Sequence, residues 1–443
     1  MRLGCIADDF TGASDAASFL AKGGLKTLLF SGIPKGEEEV GDWDAAVIAL
    51  KTRTERRDLA VAESLEAARW LKEQGAGQLY VKYCSTFDST PEGNIGPVLD
   101  GILEEFQVPY TILCPALPVN GRIVRDGNLY VNGQPLHESP MKDHPLTPMW
   151  DSDLAILMEA QSRYTCLKIR GRELADGEAV RQRISAFARG REHFYVIPDY
   201  CDEEDARRIV KIFGTLPVLS GGSGILQELG ERMAGGKAEN MIGLGNGEGR
   251  ADGAEAEEAG DGPAEESAPA KQALSSAGSA LILAGSCSKA TRGQIAWAIS
   301  HGIPAVKMDY RKLTTGEQSE EEIWAFIQNH SQALVYSSES PEEMGEIREK
   351  DRGWISDLLE ETTARLAKRA VEAGFRRIVG AGGETSGAVT KALGYDSYEI
   401  GESVAPGVPV MIPRKDRSMR LVLKSGNFGQ ADFFERALEM TNL

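Results

Sequence analysis

Short apolar runs alternate with longer amphipathic stretches over the first half of the chain. The first run, Leu3 to Ala7, is long enough for one buried strand. The alanine-rich stretch from Ala16 to Ala21, which closes on Gly23 and Gly24, predicts the next helix. The same pattern predicts strands over 26–30, 45–50, 78–82, 110–114, 166–169 and 194–197, and helices over 60–74, 95–106, 152–161, 178–188 and 203–213. Such alternation is typical of a mostly parallel sheet with helices on both faces.

The pattern stops near residue 240 and resumes near Ser279. Residues 248–271 contain eight acidic residues (248, 252, 255, 257, 258, 261, 265 and 266) and two basic ones (250 and 271), and most of the others are Gly, Ala or Pro. No hydrophobic period survives there, which indicates a disordered tether; a functional acidic segment is the alternative. Beyond it, strands are predicted over 280–284, 305–308, 333–336, 377–379 and 420–423, and helices over 291–300, 320–329 and 355–373.

The predicted fold class is α/β, with two domains that each contain a mostly parallel sheet flanked by helices. A length of 443 residues also favours two domains, because it exceeds what one hydrophobic core usually holds. An insert rich in Pro, Gly and Asn over 115–148, with a hairpin near 127–136, is expected to be a functional loop. The predicted boundaries are an N-terminal domain over 1–236, an acidic linker rich in Gly, Ala and Pro over 237–278, and a C-terminal domain over 279–443.

Composition limits the partners that the protein can have. The net charge of −18 at pH 7 argues against nucleic acid and anionic membranes, since both attract a basic surface, although a local Lys/Arg cluster could still bind an anionic small molecule. No run of about 18 apolar residues and no signal-peptide pattern occurs. Six scattered cysteines without a Cys-x-x-Cys pair fit free thiols better than disulfides or zinc. A cytoplasmic protein is therefore expected, and homo-oligomerisation stays open.

Two adjacent carboxylates, Asp8 and Asp9, directly follow the first predicted strand. In open α/β sheets, ligands bind at the carboxyl ends of the strands. The pair could therefore hold hydroxyl groups or a magnesium ion, or remove a proton; the alternative is that one of them only caps the helix or its loop. Further polar residues follow other predicted strands, open a helix or lie in the insert, namely Arg53, Lys82, Ser85, Asp88, Asn94 and Arg122. Together they predict a site for a small polyhydroxy acid, because arginine pairs with carboxylates and carboxylates accept from sugar hydroxyls. For any single residue of the set, ordinary surface charge is the alternative.

Three turns rich in Gly, Ser and Thr follow strands of the predicted C-terminal domain, at residues 285–288, 380–387 and 424–429. Such turns expose backbone N–H groups at helix N-termini, where phosphate groups bind. Any one of them could be a plain tight turn, but three in one domain predict a nucleotide site, with Lys424 as an added donor. The sequence has neither a P-loop nor the motifs of a protein kinase.

The chain resembles the four-carbon acid sugar kinases over nearly its whole length. The motifs that carry the resemblance occur in the right order and are residues 6–12, 82–90, 93–96, 115–122, 285–288, 382–387 and 424–429. The string Lys-Tyr-Cys-Ser-Thr-Phe-Asp-Ser-Thr over 82–90 is similar to the 3-oxo-tetronate kinase branch in particular. The main departure is the acidic segment 248–271, which is longer than the family pattern. The resemblance implies an N-terminal sugar-acid-binding domain and a C-terminal nucleotide-binding domain.

This resemblance implies a kinase that uses ATP, with magnesium on its phosphates, to phosphorylate the terminal hydroxyl of 3-oxo-tetronate. Threonate or erythronate kinase is the nearer alternative, and a non-catalytic sugar-acid and nucleotide sensor is the alternative from another class. Asp9 is the expected catalytic base or orienting carboxylate, with Asp8 as the alternative, and no magnesium ligands are predicted. The turns and the resemblance together give the expected nucleotide-binding residues as Ser286, Ser288, Gly382, Gly383, Glu384, Thr385, Lys424, Gly426 and Asn427.

Overall fold

A computed structural model describes residues 1–35, 41–143, 147–242, 278–339 and 349–442 of the chain. The first α/β unit extends to residue 242. Its strands are β1 Leu3–Ala7, β2 Thr27–Ser31, β3 Ala45–Ala49, β4 Gln78–Lys82, β5 Tyr110–Ile112, β6 Arg122–Arg125, β7 Asn128–Val131, β8 Gln134–Pro135, β9 Cys166–Ile169, β10 Phe194–Pro198 and β11 Val218–Gly221. Its helices are α1 Phe10–Lys22, α2 Arg57–Glu73, α3 Ile95–Glu105, α4 Leu154–Glu159, α5 Gly177–Phe187, α6 Glu203–Phe213 and α7 Leu226–Ile242.

The second α/β unit begins after the acidic segment. Its strands are β12 Ala280–Ala284, β13 Ala305–Lys307, β14 Gln332–Tyr336, β15 Arg377–Ala381, β16 Ser397–Ala405, β17 Val408–Pro413 and β18 Arg420–Lys424. Its helices are α8 Lys289–Ser300, α9 Tyr310–Thr315, α10 Glu320–Gln328, α11 Glu349–Glu372, α12 Gly383–Leu393 and α13 Phe433–Met440.

One sheet runs through both units. Among the described residues its strand order is β11-β4-β1-β3-β2-β16-β17-β18-β15-β12-β14-β13. The strands of the first unit run parallel to one another in this sheet, and so do the five strands from β18 to β13. The junction is antiparallel, because β16 pairs with β2 and β17, and β17 pairs with β18. The predicted fold class is confirmed, with the addition that the two mostly parallel sheets are continuous.

The described part of the first unit also contains two smaller sheets, a parallel one in the order β5-β10-β9 and an antiparallel one in the order β6-β7-β8. The second of these confirms the hairpin predicted inside the insert and adds a third short strand to it. The predicted domain boundaries remain predictions. Helix α7 continues to Ile242, so it enters the range predicted as linker, and the acidic stretch 248–271 lies outside the described residues.

Most predicted elements are present, and buried strands match best. The bounds of β1, β4, β9, β12 and α6 agree with the prediction at both ends. Helix α1 begins at Phe10 rather than Ala16, because Asp9 caps it and the first turn is already helical. Strands β11, β16 and β17 and helices α9 and α13 were not predicted.

The β16–β17 hairpin connects the two units. The residues near its turn pack with the second unit, where Val404, Val408 and Val410 share a buried cluster with Phe433 and Phe434. Its other face lies against α1. The hydroxyls of Ser18 and Ser403 are 2.7 Å apart, and a Cβ added at Gly407 would lie 2.1 Å from Asp15 Oδ1. The hairpin therefore places the turn at Gly407 next to the first helix of the N-terminal unit.

Candidate functional site

Asp8 and Asp9 lie where β1 ends and α1 begins, and Arg53 reaches them from the loop after β3. The Arg53 guanidinium donates from Nε to Asp8 Oδ2 and from Nη2 to Asp8 Oδ1, each at 2.9 Å. Its Nη2 also lies 3.1 Å from Asp9 Oδ1, and its Nη1 lies 3.9 Å from Asp88 Oδ2. Three protein carboxylates thus surround this guanidinium. The two-hydrogen-bond pairing that was expected with a substrate carboxylate is made with Asp8 instead.

Asp9 caps α1 and is still reachable from solvent. Its Oδ1 accepts from the backbone N–H of Gly12 at 2.7 Å. Asp9 therefore does cap the helix, which was the alternative to a functional role. The Asp9 side chain is 34% exposed, against 15% for Asp8. Burial raises the pKa of Asp9; the Arg53 guanidinium opposes this rise and the Asp8 carboxylate adds to it. A reachable carboxylate with a raised pKa can cap a helix and also accept a proton.

Lys82 and Arg122 are the two other basic residues predicted for the acceptor side. Lys82 is buried at the end of β4, where its Nζ donates to the Tyr83 carbonyl at 3.0 Å. A Cβ added at Gly12 would lie 3.2 Å from Lys82 Nζ, so the ammonium packs against the first turn of α1. Arg122 donates from Nη1 to the carbonyl of Asn120, and its buried Nε has no hydrogen-bond partner among the described residues. Within the described part of the chain, Arg122 therefore has a donor without a partner.

Asp15 was not predicted as a site residue, but the structure places it in the same group of charges. It is 5% exposed on α1, its Oδ2 accepts from the Ser223 hydroxyl, and its Oδ1 has no partner among the described residues. Burial raises the pKa of Asp15 to about 6, although the charge of Lys82 and the Ser223 hydroxyl both oppose that rise. The sequence feature that could have indicated Asp15 is an aspartate on the buried face of an alanine-rich helix.

The remaining predicted acceptor-side residues support the loops. Asp88 is buried and accepts from the Thr86 hydroxyl at 2.6 Å. The Asn94 side-chain amide donates to two carbonyl oxygens of the loop that carries Arg53, at 2.7 and 2.8 Å. Ser85 is half-buried in the turn after β4. Asn94 therefore holds the Arg53 loop in place, which accounts for its side chain without a ligand.

The three predicted nucleotide turns meet at Ser286. A Cβ added at Gly426 would lie 2.2 Å from Ser286 Oγ, and one added at Gly382 would lie 3.1 Å from the Ser286 backbone nitrogen. The Ser288 hydroxyl donates to the Gly426 carbonyl at 2.6 Å. These contacts leave no room for side chains at either glycine. The turns after β12, β15 and β18 therefore form one continuous surface, as the parallel order of these strands requires.

Two helix N-termini open onto this surface. Ser288 caps α8 by accepting from the Thr291 backbone N–H at 3.2 Å, and Gly382 caps α12 with a φ of +131°, which disfavours any residue with a Cβ. The first-turn N–H groups of a helix attract anions, and two such ends side by side suit a chain of phosphates. Around them, Gly383, Glu384 and Asn427 are exposed and Thr385 is buried.

Lys424 takes a different position from the expected one. It is fully buried, and its Nζ donates to the Thr291 hydroxyl at 2.9 Å and to the carbonyls of Ser425 and Gly426 at 3.2 Å each. Burial lowers the pKa of Lys424 to about 7. Lys424 therefore makes its hydrogen bonds inside the protein, to the Gly426 turn and to the first turn of α8, and it stabilises the nucleotide surface.

The hairpin turn at Gly407 lies between the acceptor-side residues and the nucleotide turns. On one side it contacts Asp15, as described above. On the other, β17 pairs with β18 in the register Val410–Val422, which, continued by two residues, places Val408 opposite Lys424. The turn that contains Gly426 is thus next to the hairpin end that covers Asp15. The acceptor-side residues and the nucleotide turns therefore lie on either side of the β16–β17 hairpin.

The described part of the chain contains no group of three or more His, Cys, Asp or Glu residues suited to hold a metal ion. No helix among the described residues is long and apolar enough to span a membrane.

Two family models match the chain and follow the division into units. One, described as a sugar-binding N-terminal domain, matches residues 3–229, and the other, described as a nucleotide-binding C-terminal domain, matches residues 281–434. Among solved structures, a Salmonella typhimurium LT2 protein is 36% identical, with a TM-score of 0.84 and 98% of each chain covered. A Haemophilus influenzae protein is 34% identical, with a TM-score of 0.77 over 99% of this chain and 100% of that one.

Curated relatives named 3-oxo-tetronate kinase match nearly end to end. The protein of Pseudomonas savastanoi pv. phaseolicola is 40% identical over 99% of this chain and 96% of its own length. That of Cupriavidus necator is 40% identical over 98% of this chain and 96% of its own length. That of Haemophilus influenzae is 35% identical, with 99% of each covered. With both domain models matched and these relatives similar over nearly their full length, the chain belongs to the four-carbon acid sugar kinase family.

Proposed function

We propose that this protein is an ATP-dependent kinase that transfers the γ-phosphoryl group to the terminal (4-) hydroxyl of 3-oxo-tetronate, giving ADP and 3-oxo-tetronate 4-phosphate. The observation that carries the proposal is the near full-length similarity, at 35–40% identity, to proteins named 3-oxo-tetronate kinase. The pairing of a carboxylate and cation group in one unit with three glycine-rich turns in the other supports it. Phosphoryl transfer needs this kind of positioning and charge stabilisation more than covalent chemistry.

On the acceptor side, we assign Asp9 to the reacting hydroxyl. The Asp9 carboxylate accepts the proton as the hydroxyl oxygen attacks phosphorus, and its raised pKa makes it a better acceptor than an ordinary aspartate. Arg53 holds Asp8 and Asp9 side by side and offsets their mutual repulsion. The substrate carboxylate needs a cation, and we assign Arg122 and Lys82 to it, because the charges of both act on Asp15 in this part of the unit. Ser85 and Asp88 complete the proposed substrate-binding set.

On the nucleotide side, we assign the phosphates to the surface shared by the turns at Ser286, Gly382 and Gly426. The N–H groups at the starts of α8 and α12 would bind phosphate oxygens, and Gly383, Glu384, Thr385 and Asn427 would border them. Magnesium, bound to the phosphates, would supply charge neutralisation for the transfer. Because the described residues offer no dedicated metal cluster, an ion that arrives with the nucleotide fits the chain best.

We also propose that the protein acts in the cytoplasm. All six cysteines, which lie in the described residues, are free, and free thiols persist in a reducing compartment. Homo-oligomerisation stays a prediction.

The test is a substrate panel read by ADP release. The purified protein with MgATP is given 3-oxo-tetronate, threonate or erythronate, each as separate stereoisomers, and an assay without acceptor measures background hydrolysis. We expect the highest kcat/KM with one 3-oxo-tetronate isomer and loss of activity when magnesium is removed with a chelator. A higher kcat/KM with threonate or erythronate would reassign the substrate within the family. No turnover with any member of the panel by folded protein would refute the proposal.

A further inference from the structure

We propose that the cavity at the carboxyl ends of β12 and β14 binds the nucleoside part of the nucleotide, with Tyr310, Ile355 and Leu359 against the base. This inference rests on the proposed function, because it assigns the second half of the same nucleotide site. It also gives the bound nucleotide a direction along the sheet.

The strand order sets that direction. From the junction outward, the strands of the second unit are β17, β18, β15, β12, β14 and β13. The turns assigned to phosphates follow β18, β15 and β12, so the phosphate nearest the acceptor-side residues lies at the β18 end, next to the hairpin. The rest of the nucleotide then has to continue away from the junction, toward the ends of β14 and β13. That is where the structure has a cavity.

The cavity begins at the phosphate surface. It has a volume of about 260 Å³, and Gly285 and Thr385 line it together with residues of α9 and α11. This volume is slightly below the range of about 300–1,000 Å³ that is usual for sites that enclose a whole small ligand. It therefore suits a base and sugar whose phosphates lie outside on the turns.

The apolar part of the lining comes from two helices. Ile355 is buried and Leu359 half-buried, one turn apart on α11, so both face the cavity from the same side. Tyr310 lies on α9, and Trp354 makes an edge-to-face contact with it at 6.4 Å between ring centroids. A flat aromatic base gains most from aliphatic and aromatic surfaces of this kind.

The polar part of the lining is acidic. Ser356 Oγ lies 3.0 Å from Glu360 Oε1 and 3.4 Å from Glu384 Oε2. Glu339 also lines the cavity, but its carboxylate is already ion-paired with Lys307 and Arg311. Carboxylates accept hydrogen bonds from hydroxyls and amino groups. Ribose hydroxyls and an exocyclic amine supply those donors. The acceptors of the lining therefore favour the nucleoside end of ATP here, with Glu384 at the boundary between the cavity and the phosphate surface.

The experiment compares ATP with tripolyphosphate, each with Mg²⁺, by calorimetric titration of the full chain. Leu359→Trp fills the cavity with an indole ring and leaves the glycine-rich turns intact. We expect the dissociation constant of ATP to rise at least about tenfold and that of tripolyphosphate to change less than about twofold. Lys368→Trp, at an exposed position of the same helix, is the matched control and should bind both ligands as the wild type does.

Unchanged ATP affinity in Leu359→Trp would overturn the proposal, while ADP release by the wild type would leave the kinase assignment standing. If Leu359→Trp binds neither ligand, its fold has been disturbed, and Tyr310→Ala on the half-exposed helix α9 decides in its place. Selective loss of ATP in Tyr310→Ala then supports the proposal, and wild-type affinity overturns it. A wild-type protein that binds no ATP would instead refute the proposed function itself.

Discussion

The Arg53 guanidinium and the Asp8 carboxylate form a two-hydrogen-bond pair, with both donor–acceptor distances at 2.9 Å. Such a pair occupies both oxygens of Asp8 and fixes their plane. Asp9, the next residue, uses only its Oδ1 in the hydrogen bonds and ion pairs found among the described residues. Its second oxygen therefore remains available to an acceptor hydroxyl. This difference separates two carboxylates that look equivalent in the sequence.

Asp9→Asn is expected to lower kcat at least about 100-fold, because general-base help in proton transfer contributes about 10²–10⁴-fold. Asparagine is also a good N-cap residue, so the hydrogen bond to the Gly12 N–H and the start of α1 should persist. ATP affinity should be nearly unchanged, since the nucleotide turns lie in the other unit. Steady-state kinetics and ATP titration of the same variant provide both measurements.

Asp8→Asn is the matched control for that prediction. It leaves Asp9 in place but weakens the Arg53 pair, so a rise in acceptor KM is expected with a smaller fall in kcat. If Asp9→Asn keeps more than about a tenth of the wild-type kcat, Asp9 is not the base. A change confined to the acceptor KM would make Asp9 a binding residue.

Gly382→Val and Gly426→Val should each weaken ATP binding. The first forces a side chain onto a backbone with a φ of +131°, and the second puts a Cβ 2.2 Å from Ser286 Oγ. Binding of the sugar acid should persist, because its proposed residues lie in the first unit. Gly387→Val is the matched control: it lies on α12, is exposed, and would meet no atom within 4 Å. Calorimetry that gives wild-type ATP affinity in both site variants would remove the turns from the nucleotide site.

The sequence was sufficient to predict the bounds of strands that are buried on both faces. Strands β1, β4 and β12 are buried on both faces; β1 and β12 appear as continuous apolar runs with sharp ends, and β4 has an apolar centre between Gln78 and Lys82. The sequence also predicted one nucleotide site from the three turns, but that they meet at Ser286 depends on β18, β15 and β12 being neighbours in the sheet. By contrast, Gly401 and Pro409 interrupt the pattern of β16 and β17, and the pairing of β16 with β2 joins residues more than 360 positions apart.

The sequence could not predict which side chains would pair with one another. Arg53 and Lys424 were both predicted to face ligands because of their charge and their positions after strands. The structure pairs Arg53 with Asp8 and encloses Lys424 beneath its own turn, and both outcomes depend on packing rather than on residue type. Asp15 was missed for the same reason. Its environment is created by Ser223 and Gly407, which approach it from distant parts of the chain.

Deletion of about half of residues 248–271 tests the predicted linker. Its composition cannot form a core, and shortening a flexible loop by half changes closure entropy by only about 0.6 kcal/mol, so the free energy of unfolding should stay nearly constant. Chemical denaturation of the deletion variant beside the full chain measures this. Strong hydrogen-exchange protection in the segment, or failure of the shortened chain to fold, would show that it forms an ordered element.

Asp15 gives a prediction about pH and stability. The pKa of Asp15 is raised from its ordinary value of 3.8 to about 6, chiefly by burial, so the folded state holds this proton more tightly than the unfolded chain does. The resulting stabilisation is complete below about pH 4 and is lost as the pH rises through about 6. Above that pH, the loss amounts to about 3 kcal/mol. Asp15→Asn has no proton to release, so the variant should lack this dependence.

The measurement is the free energy of unfolding of the wild type and of Asp15→Asn between pH 4.5 and 7.5, compared as a difference at each pH. Asparagine keeps an oxygen for the Ser223 hydroxyl but places an NH₂ group beside Gly407, which costs about 1–3 kcal/mol at every pH because it is buried without an acceptor. The variant can therefore be less stable in absolute terms, and the informative quantity is the slope. The difference should move in favour of Asp15→Asn as the pH rises. Ser223→Ala removes a hydrogen bond that lowers the Asp15 pKa, so its loss of stability should extend to higher pH than that of the wild type. Parallel curves for all three proteins would mean that Asp15 does not titrate in this range, and its buried carboxylate would then have to be fully compensated by Lys82 and Arg122.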